Sequence, residues 1–84
     1  MKQCIIACRS LTYAQRSARA LERAGYSALV IRMPAGLLEN GCGYAVKIYE
    51  NHLTEAVSLL RQNGFTPKRA FVSDQQDKYT EVSI

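Results

Sequence analysis

A strand-like segment, an amphipathic helix and a second strand-like segment follow one another twice in this chain, and this order restricts the fold more than any other feature. Lys2 to Cys8 is nearly continuously apolar, and Tyr26 to Arg32 follows the first helix. Tyr44 to Glu50 and Lys68 to Ser73 flank the second helix. The order βαββαβ predicts an α+β, ferredoxin-like split βαβ fold, with a four-stranded antiparallel sheet ordered 4-1-3-2 and both helices on one face.

Polar residues and glycines mark the ends of the two predicted helices. Thr12 and Gln15 have the spacing of a capping box, so we expect the first helix to start at Thr12 and to end at Gly25. Asn51 is predicted to cap the second helix, and Gly64 is predicted to end it. Each helix therefore has a predicted start and end.

The chain is short enough that its apolar residues can form only one core. It has 84 residues, of which 48% are hydrophobic, and one sheet with two helices uses nearly all of them. We expect one ferredoxin-like domain over residues 1–73. Residues 74–84 are then a polar segment and a tail that adds an edge strand, pairs with another subunit or frays. So small a domain favours a carrier or accessory protein over a self-contained enzyme.

Charge and composition argue against several kinds of partner. The net charge of +4 comes from eleven basic and seven acidic residues that are scattered along the chain, which does not favour nucleic acid. No segment has the length or the apolar content of a membrane span. The three cysteines are an odd number, and the chain shows no secretory signal, so we expect a cytoplasmic protein with reduced thiols.

The segment between the second and third strands holds a cysteine between two glycines. It covers residues 35–43, which is longer than a plain hairpin needs, and it ends in Gly41, Cys42 and Gly43. In the split βαβ topology this segment lies at the sheet edge where the first strand ends and the first helix begins. The glycines would let a partner's sulfur approach the backbone closely.

Positive charge is predicted to gather at the same edge. Arg9 follows the first strand, Arg32 ends the second, and the first helix directs its positive amino terminus there. Such surroundings favour a thiolate, which is the nucleophilic form of cysteine, so Cys42 is the candidate nucleophile. The alternative is that Cys42 is a small packing residue, as most free cysteines are.

The remaining polar and metal-binding residue types suggest simpler roles. Ser10 and Thr12 are predicted helix caps whose hydroxyls could also face a ligand. Cys4 and Cys8 lie in an apolar strand about 13 Å apart, too far for one zinc ion. His52 is predicted at the opposite edge from Cys42, which excludes a Cys-His pair. We therefore expect no metal, and the chain has no phosphate-loop, dinucleotide or triad motif that would indicate a cofactor.

Residues 33–46 resemble the selenium/sulfur carrier-like family of small bacterial proteins. The shared features are an apolar first strand, Ala20-Leu21 in the first helix, Pro34, and the pair Cys42-Gly43 that opens the next strand. Many members look as though an Arg follows this proline and small hydroxyl residues precede the cysteine. This chain has Ala35 and Asn40-Gly41 at those places.

The resemblance implies that Cys42 carries sulfur or selenium as a persulfide or selenopersulfide, with donor and acceptor proteins as partners. The residues alone leave a second hypothesis open, a non-catalytic ferredoxin-like module that binds a small ligand or regulates, and dimerises through its open sheet face. We also expect a homo-oligomer, because the first strand is apolar on both faces and two helices cover only one. Beside Cys42, the candidate ligand-binding residues are Gly41, Gly43, Arg9, Ser10, Thr12, Arg32 and Pro34.

Overall fold

The computed structural model describes residues 2–34, 37, 43–74 and 78–84. In chain order the elements are β1 (Gln3–Cys8), α1 (Leu11–Arg23), β2 (Leu29–Arg32), β3 (Tyr44–Tyr49), α2 (Leu53–Gln62), β4 (Ala70–Ser73) and β5 (Tyr79–Val82). A short 3-10 turn, Glu50–His52, connects β3 to α2. Within these ranges, no helix has the length and apolarity required to cross a membrane.

The strands form one antiparallel sheet in the order β2-β3-β1-β4-β5. β1 lies between β3 and β4, with Cys8 opposite Tyr44 and Cys4 opposite Val72. The order of the first four strands is therefore the predicted one, and the prediction that β1 and β3 are central neighbours is confirmed. The predicted number of strands was wrong, because the tail adds a fifth strand beside β4.

The fifth strand is held by contacts on both of its faces. Val82 packs with the core beneath the helices, while Tyr79 packs on the opposite side of the sheet. The Arg69 guanidinium donates two hydrogen bonds to the Glu81 carboxylate, at 2.8 and 3.0 Å, and these bonds hold the pKa of Glu81 below its ordinary value. Of the outcomes predicted for residues 74–84, the edge strand is the one observed.

The main core lies between the sheet and the two helices. β1 contributes alternate side chains, Cys4, Ile6 and Cys8, which all point to the helix side. Residues from both helices complete this core, so both lie on one face of the sheet, as predicted. The buried helix residues are Ala14, Ser17, Ala18, Leu21, Ala56, Val57 and Leu60.

The other face of the sheet is also covered within a single chain. Ile5, Ala45 and Phe71 are each at most 3% exposed and form a second cluster. Side chains of the same chain pack against them, among them Met33 and Leu37 from the segment after β2. The reason for expecting an oligomer, an uncovered apolar face, is therefore wrong, and the oligomer itself stays a prediction.

The helices begin differently from the sequence-based prediction. Ser10 has extended backbone dihedrals, and its hydroxyl accepts a hydrogen bond from the Tyr13 N–H at 3.1 Å, so Ser10 caps α1. Thr12 lies inside the first turn, and the capping box predicted there is wrong because the helix starts one residue earlier. Asn51 lies in the 3-10 turn, and His52 occupies the N-cap position of α2 without a side-chain hydrogen bond.

Truncation of Leu21 tests the helix-side core. Leu21 is fully buried, whereas Leu29 on the edge strand β2 is 60% exposed. We expect Leu21→Ala to lower the free energy of unfolding by about 2–5 kcal/mol through lost burial and a residual cavity. The matched control, Leu29→Ala, should cost less than about 1 kcal/mol. Urea denaturation measures both free energies of unfolding. Similar losses in the two variants would contradict the assignment of Leu21 to the core.

Candidate functional site

Four chain segments meet at one edge of the sheet. Cys8 at the end of β1 is opposite Tyr44 at the start of β3, and Tyr44 is opposite Arg32 at the end of β2. Two residues separate the end of β1 from the start of α1, which lies at the same edge. This is the convergence predicted from the topology. The candidate nucleophile Cys42 and its neighbour Gly41 lie outside the described residues.

Gly43 packs closely against the end of β1. Its φ of +150° is one that side-chain-bearing residues rarely adopt, and its carbonyl accepts a hydrogen bond from the Met33 N–H at 3.2 Å. A Cβ atom at this position would lie 3.2 Å from the Cys8 carbonyl oxygen and 3.6 Å from Met33 Cγ. The close approach of two backbones therefore requires a glycine here.

The two predicted arginines occupy different parts of this edge. The Arg9 guanidinium carbon lies 5.0 Å from the centroid of the Tyr13 ring, over the first turn of α1. Arg32 is exposed on β2, and β3 lies between β2 and β1. The Cα atoms of Arg32 and Cys8 are therefore separated by two strand spacings, about 10 Å. Pro34 follows β2 and is half-buried, with its carbonyl accepting from the Leu37 N–H at 3.4 Å.

A cleft of about 290 Å³ opens where α1 begins and α2 ends. Three predicted site residues line it, Arg9, Ser10 and Thr12. Arg32 and Pro34 do not, because β2 lies on the far side of β3. The other lining residues were not predicted from the sequence; they are Tyr13, Arg16, Asn63, Gly64 and Phe65.

The strand order indicates that the end of α2 also lies at this edge. Because α2 runs antiparallel to β3, its last residues return to the edge where β3 begins and α1 starts. The structure shows the result in one contact, an edge-to-face pair between the rings of Tyr13 and Phe65 with centroids 5.2 Å apart. The Tyr13 hydroxyl also accepts a hydrogen bond from the Thr66 N–H at 2.6 Å. The end of α2 could therefore have been assigned to this site from the strand order alone.

Cys4 and Cys8 are buried thiols with raised pKa values. Burial raises the pKa of Cys4 to about 12, and the nearby charge of Glu50 adds to the effect. Burial raises the pKa of Cys8 to about 11, and hydrogen bonding from Ser17 and from the Val46 backbone offsets part of the rise. The Ser17 hydroxyl has no well-aligned partner among the described residues, so its hydrogen bond to Cys8 is a weak one.

A larger cavity lies elsewhere in the described part of the chain. It has a volume of about 580 Å³ and runs along α2 beside the end of β5. Its single charged lining residue, Arg61, donates a hydrogen bond from Nη2 to the Ile84 carbonyl at 3.1 Å. None of the predicted site residues lines this cavity. Across the described ranges, no group of three or more His, Cys, Asp or Glu residues could hold a metal ion.

Comparison with known protein families gives a match over most of the chain. A family model described as "Putative Se/S carrier protein-like" matches residues 3–71. The matched span runs from β1 to the first residues of β4, and it includes both helices and the segment that contains Cys42. β5 lies beyond it. No curated protein matches the chain.

Substitution of Gly43 tests the close packing at the edge. We expect Gly43→Ala to lower the free energy of unfolding by about 2–4 kcal/mol, because the new Cβ adds a backbone contact to the conformational cost. Gly25→Ala is the control, since Gly25 has φ +94° but a Cβ added there would have nothing within 4 Å. It should cost about 1–2 kcal/mol. Urea denaturation measures both free energies of unfolding. Equal losses in the two variants would mean that the added Cβ at residue 43 makes no tight contact with the Cys8 carbonyl oxygen.

Thiol labelling tests the burial of the two strand cysteines. In a Cys42→Ser variant, which leaves only these two thiols, iodoacetamide should react slowly with the folded protein at pH 8 and rapidly in urea. The folded state keeps these protons up to a pH of about 11, whereas the unfolded thiols lose them near 9.0. The free energy of unfolding should therefore fall as the pH rises above about 9. Fast labelling of the folded variant would contradict the burial.

Proposed function

Because the chain belongs to the Se/S carrier protein-like family, we propose that it carries sulfur or selenium from a donor protein to an acceptor protein, with Cys42 bearing the atom. The observation that carries the proposal is the family match over residues 3–71, which includes Cys42. The carried form is a persulfide or a selenopersulfide. We propose a carrier or accessory protein, not a self-contained enzyme, and we expect it to act in the cytoplasm, where thiols stay reduced.

The proposed transfer is a pair of thiol exchange steps. The Cys42 thiolate attacks the outer sulfur of a persulfide on the donor protein. A new S–S bond forms at Cys42, the donor's S–S bond breaks, and the donor leaves as a thiolate. A nucleophile of the acceptor then attacks the outer sulfur of the Cys42 persulfide, and Cys42 leaves as a thiolate. Selenium would move by the same steps, and no net oxidation occurs.

The described residues at this edge of the sheet support the proposal that Cys42 is a thiolate. The first turn of α1 contains no acidic residue, so the positive end of its dipole is not neutralised within the turn. Arg9 and Arg32 lie at the same edge. Gly43, the residue directly after Cys42, packs on the Cys8 carbonyl, where an added Cβ would make a tight contact at 3.2 Å. The helix terminus and the arginines would stabilise a thiolate carried by the residue before Gly43.

Elimination also favours Cys42 over the other two cysteines. Cys4 is fully buried and Cys8 is 5% exposed. Their pKa values, about 12 and about 11, leave almost no thiolate at neutral pH. A donor protein could reach neither sulfur without opening the core between the sheet and the helices.

A small-ligand binding or regulatory module is the second candidate function, and the cleft beside α1 favours it. Such a module would have no need for a nucleophile, so Cys42→Ser should leave its function intact. A carrier loses all function in the same variant. The two hypotheses therefore make opposite predictions for one substitution.

Sulfur loading tests the carrier proposal directly. Incubation with a cysteine desulfurase and cysteine should add the mass of one or more sulfur atoms to the wild-type protein, read by intact mass spectrometry. Cys42→Ser should gain none. Cys8→Ala is the matched control and should load like the wild type, because its thiol is buried. Equal loading of Cys42→Ser and wild type, or no loading of either, would contradict the proposal, and a selenium donor tests the second element in the same assay.

A further inference from the structure

The cleft between the start of α1 and the end of α2 carries positive charge that no described residue of its lining balances. Arg9 and Arg16 both line it, and none of the lining residues that the structure describes is acidic. In the described part of the chain neither arginine forms an ion pair, in contrast to Arg69, whose guanidinium is bound by Glu81. An anion in the cleft would therefore meet two available guanidinium groups and no repelling carboxylate.

Besides the two arginines, the cleft lining contains further hydrogen-bond donors. The Ser10 hydroxyl accepts from the Tyr13 N–H, and the Ser10 carbonyl accepts from the Ala14 N–H. Thr12 lines the cleft, and its N–H, in the first turn of the helix, has no partner within the helix. The Thr12 hydroxyl adds a side-chain donor in the cleft lining. Donors thus come from side chains and backbone together.

The opposite wall of the cleft is fixed by a different element. Asn63 follows α2, and its side-chain nitrogen donates to the Leu59 carbonyl at 2.8 Å. The Phe65 ring packs edge to face on Tyr13 at an interplanar angle of 89°. Two helices and the Tyr13 to Thr66 hydrogen bond therefore hold the cleft in shape before any ligand arrives. Its volume of about 290 Å³ and its aromatic wall suit an anionic group with a small organic body.

We propose that this cleft binds a phosphate group, either free or carried on a small organic ester. Guanidinium groups pair with two phosphate oxygens at once, and a tetrahedral dianion has oxygens left for the N–H and hydroxyl groups of Thr12. A carboxylate has only two oxygens and one charge, which would leave some of these donors unused. The proposal rests on the two arginines and the two-helix cleft, and it is independent of the role of Cys42.

Titration with inorganic phosphate and with phenyl phosphate tests the site. Backbone amide chemical shifts are followed by NMR at constant ionic strength. We expect saturable shifts confined to residues 9–16 and 63–66. Arg16→Gln should weaken binding about tenfold or more, since it removes a charge-assisted hydrogen bond. Arg23→Gln is the matched control, with the same charge change on α1 about 10 Å further along the helix axis, and should change the affinity less than about twofold.

The two probes distinguish the sources of the phosphate group. Tighter binding of phenyl phosphate would assign the site to an ester that uses the Tyr13–Phe65 wall, and equal affinities would assign it to free phosphate. Both results support the proposal. Shifts that do not saturate, or equal weakening in Arg16→Gln and Arg23→Gln, would overturn it. So would saturable binding of an acidic peptide, which would indicate a protein partner, when neither phosphate binds.

The same titration of Cys42→Ser separates this inference from the carrier proposal. Phosphate binding should be unchanged in that variant, while its sulfur loading is lost. Arg9→Gln provides a second test, because Arg9 also lines the cleft but lies before the first residue of α1. Amide spectra that otherwise overlay those of the wild type will show that each variant is folded.

Discussion

The burial of β1 on both faces is the constraint on which the rest of the structure depends. Ile5 and Ile6 are neighbours in the chain, point to opposite sides of the sheet and are each 1% exposed. One face of β1 needs the two helices, and the other needs the side chains that follow β2. Because β3 and β4 pair with β1 on either side, the end of β1 also fixes where the candidate site forms.

The same burial divides the cysteines into two kinds. A sulfur inside the core gains packing energy but loses access to solvent, and the cost of placing a charge there keeps it protonated. Cys4 and Cys8 follow this rule. Neither of these two thiols is therefore available for exchange chemistry while the core stays closed. The proposed carrier role and the proposed phosphate site do not depend on each other.

The sequence was sufficient for the features that depend on long apolar patterns. The continuous apolar run of β1 indicated a central strand, and the order of elements indicated its neighbours. Short segments depend on contacts with residues far along the chain, which the sequence pattern does not show. For residues 74–84 three outcomes were predicted, and the Arg69–Glu81 pair and the packing of Val82 favour the edge strand β5. The cap of α1 was misplaced by two residues because Ser10 and Thr12 both carry suitable hydroxyls, and only the extended backbone at Ser10 chooses between them. Three of the five missed cleft residues, Asn63, Gly64 and Phe65, follow α2 and lie far along the chain from the predicted ones.

Tyr13 has a consequence for how this small domain responds to whatever occupies its edge. Its ring lies beneath the Arg9 guanidinium and against Phe65, and its hydroxyl binds the backbone at Thr66, four residues before β4. β4 in turn is hydrogen-bonded to β1. A displacement of this one ring would therefore pull on the segment that leads into the centre of the sheet. The Tyr13 side chain thus connects the Arg9 guanidinium at the surface to the chain segment that leads into β4.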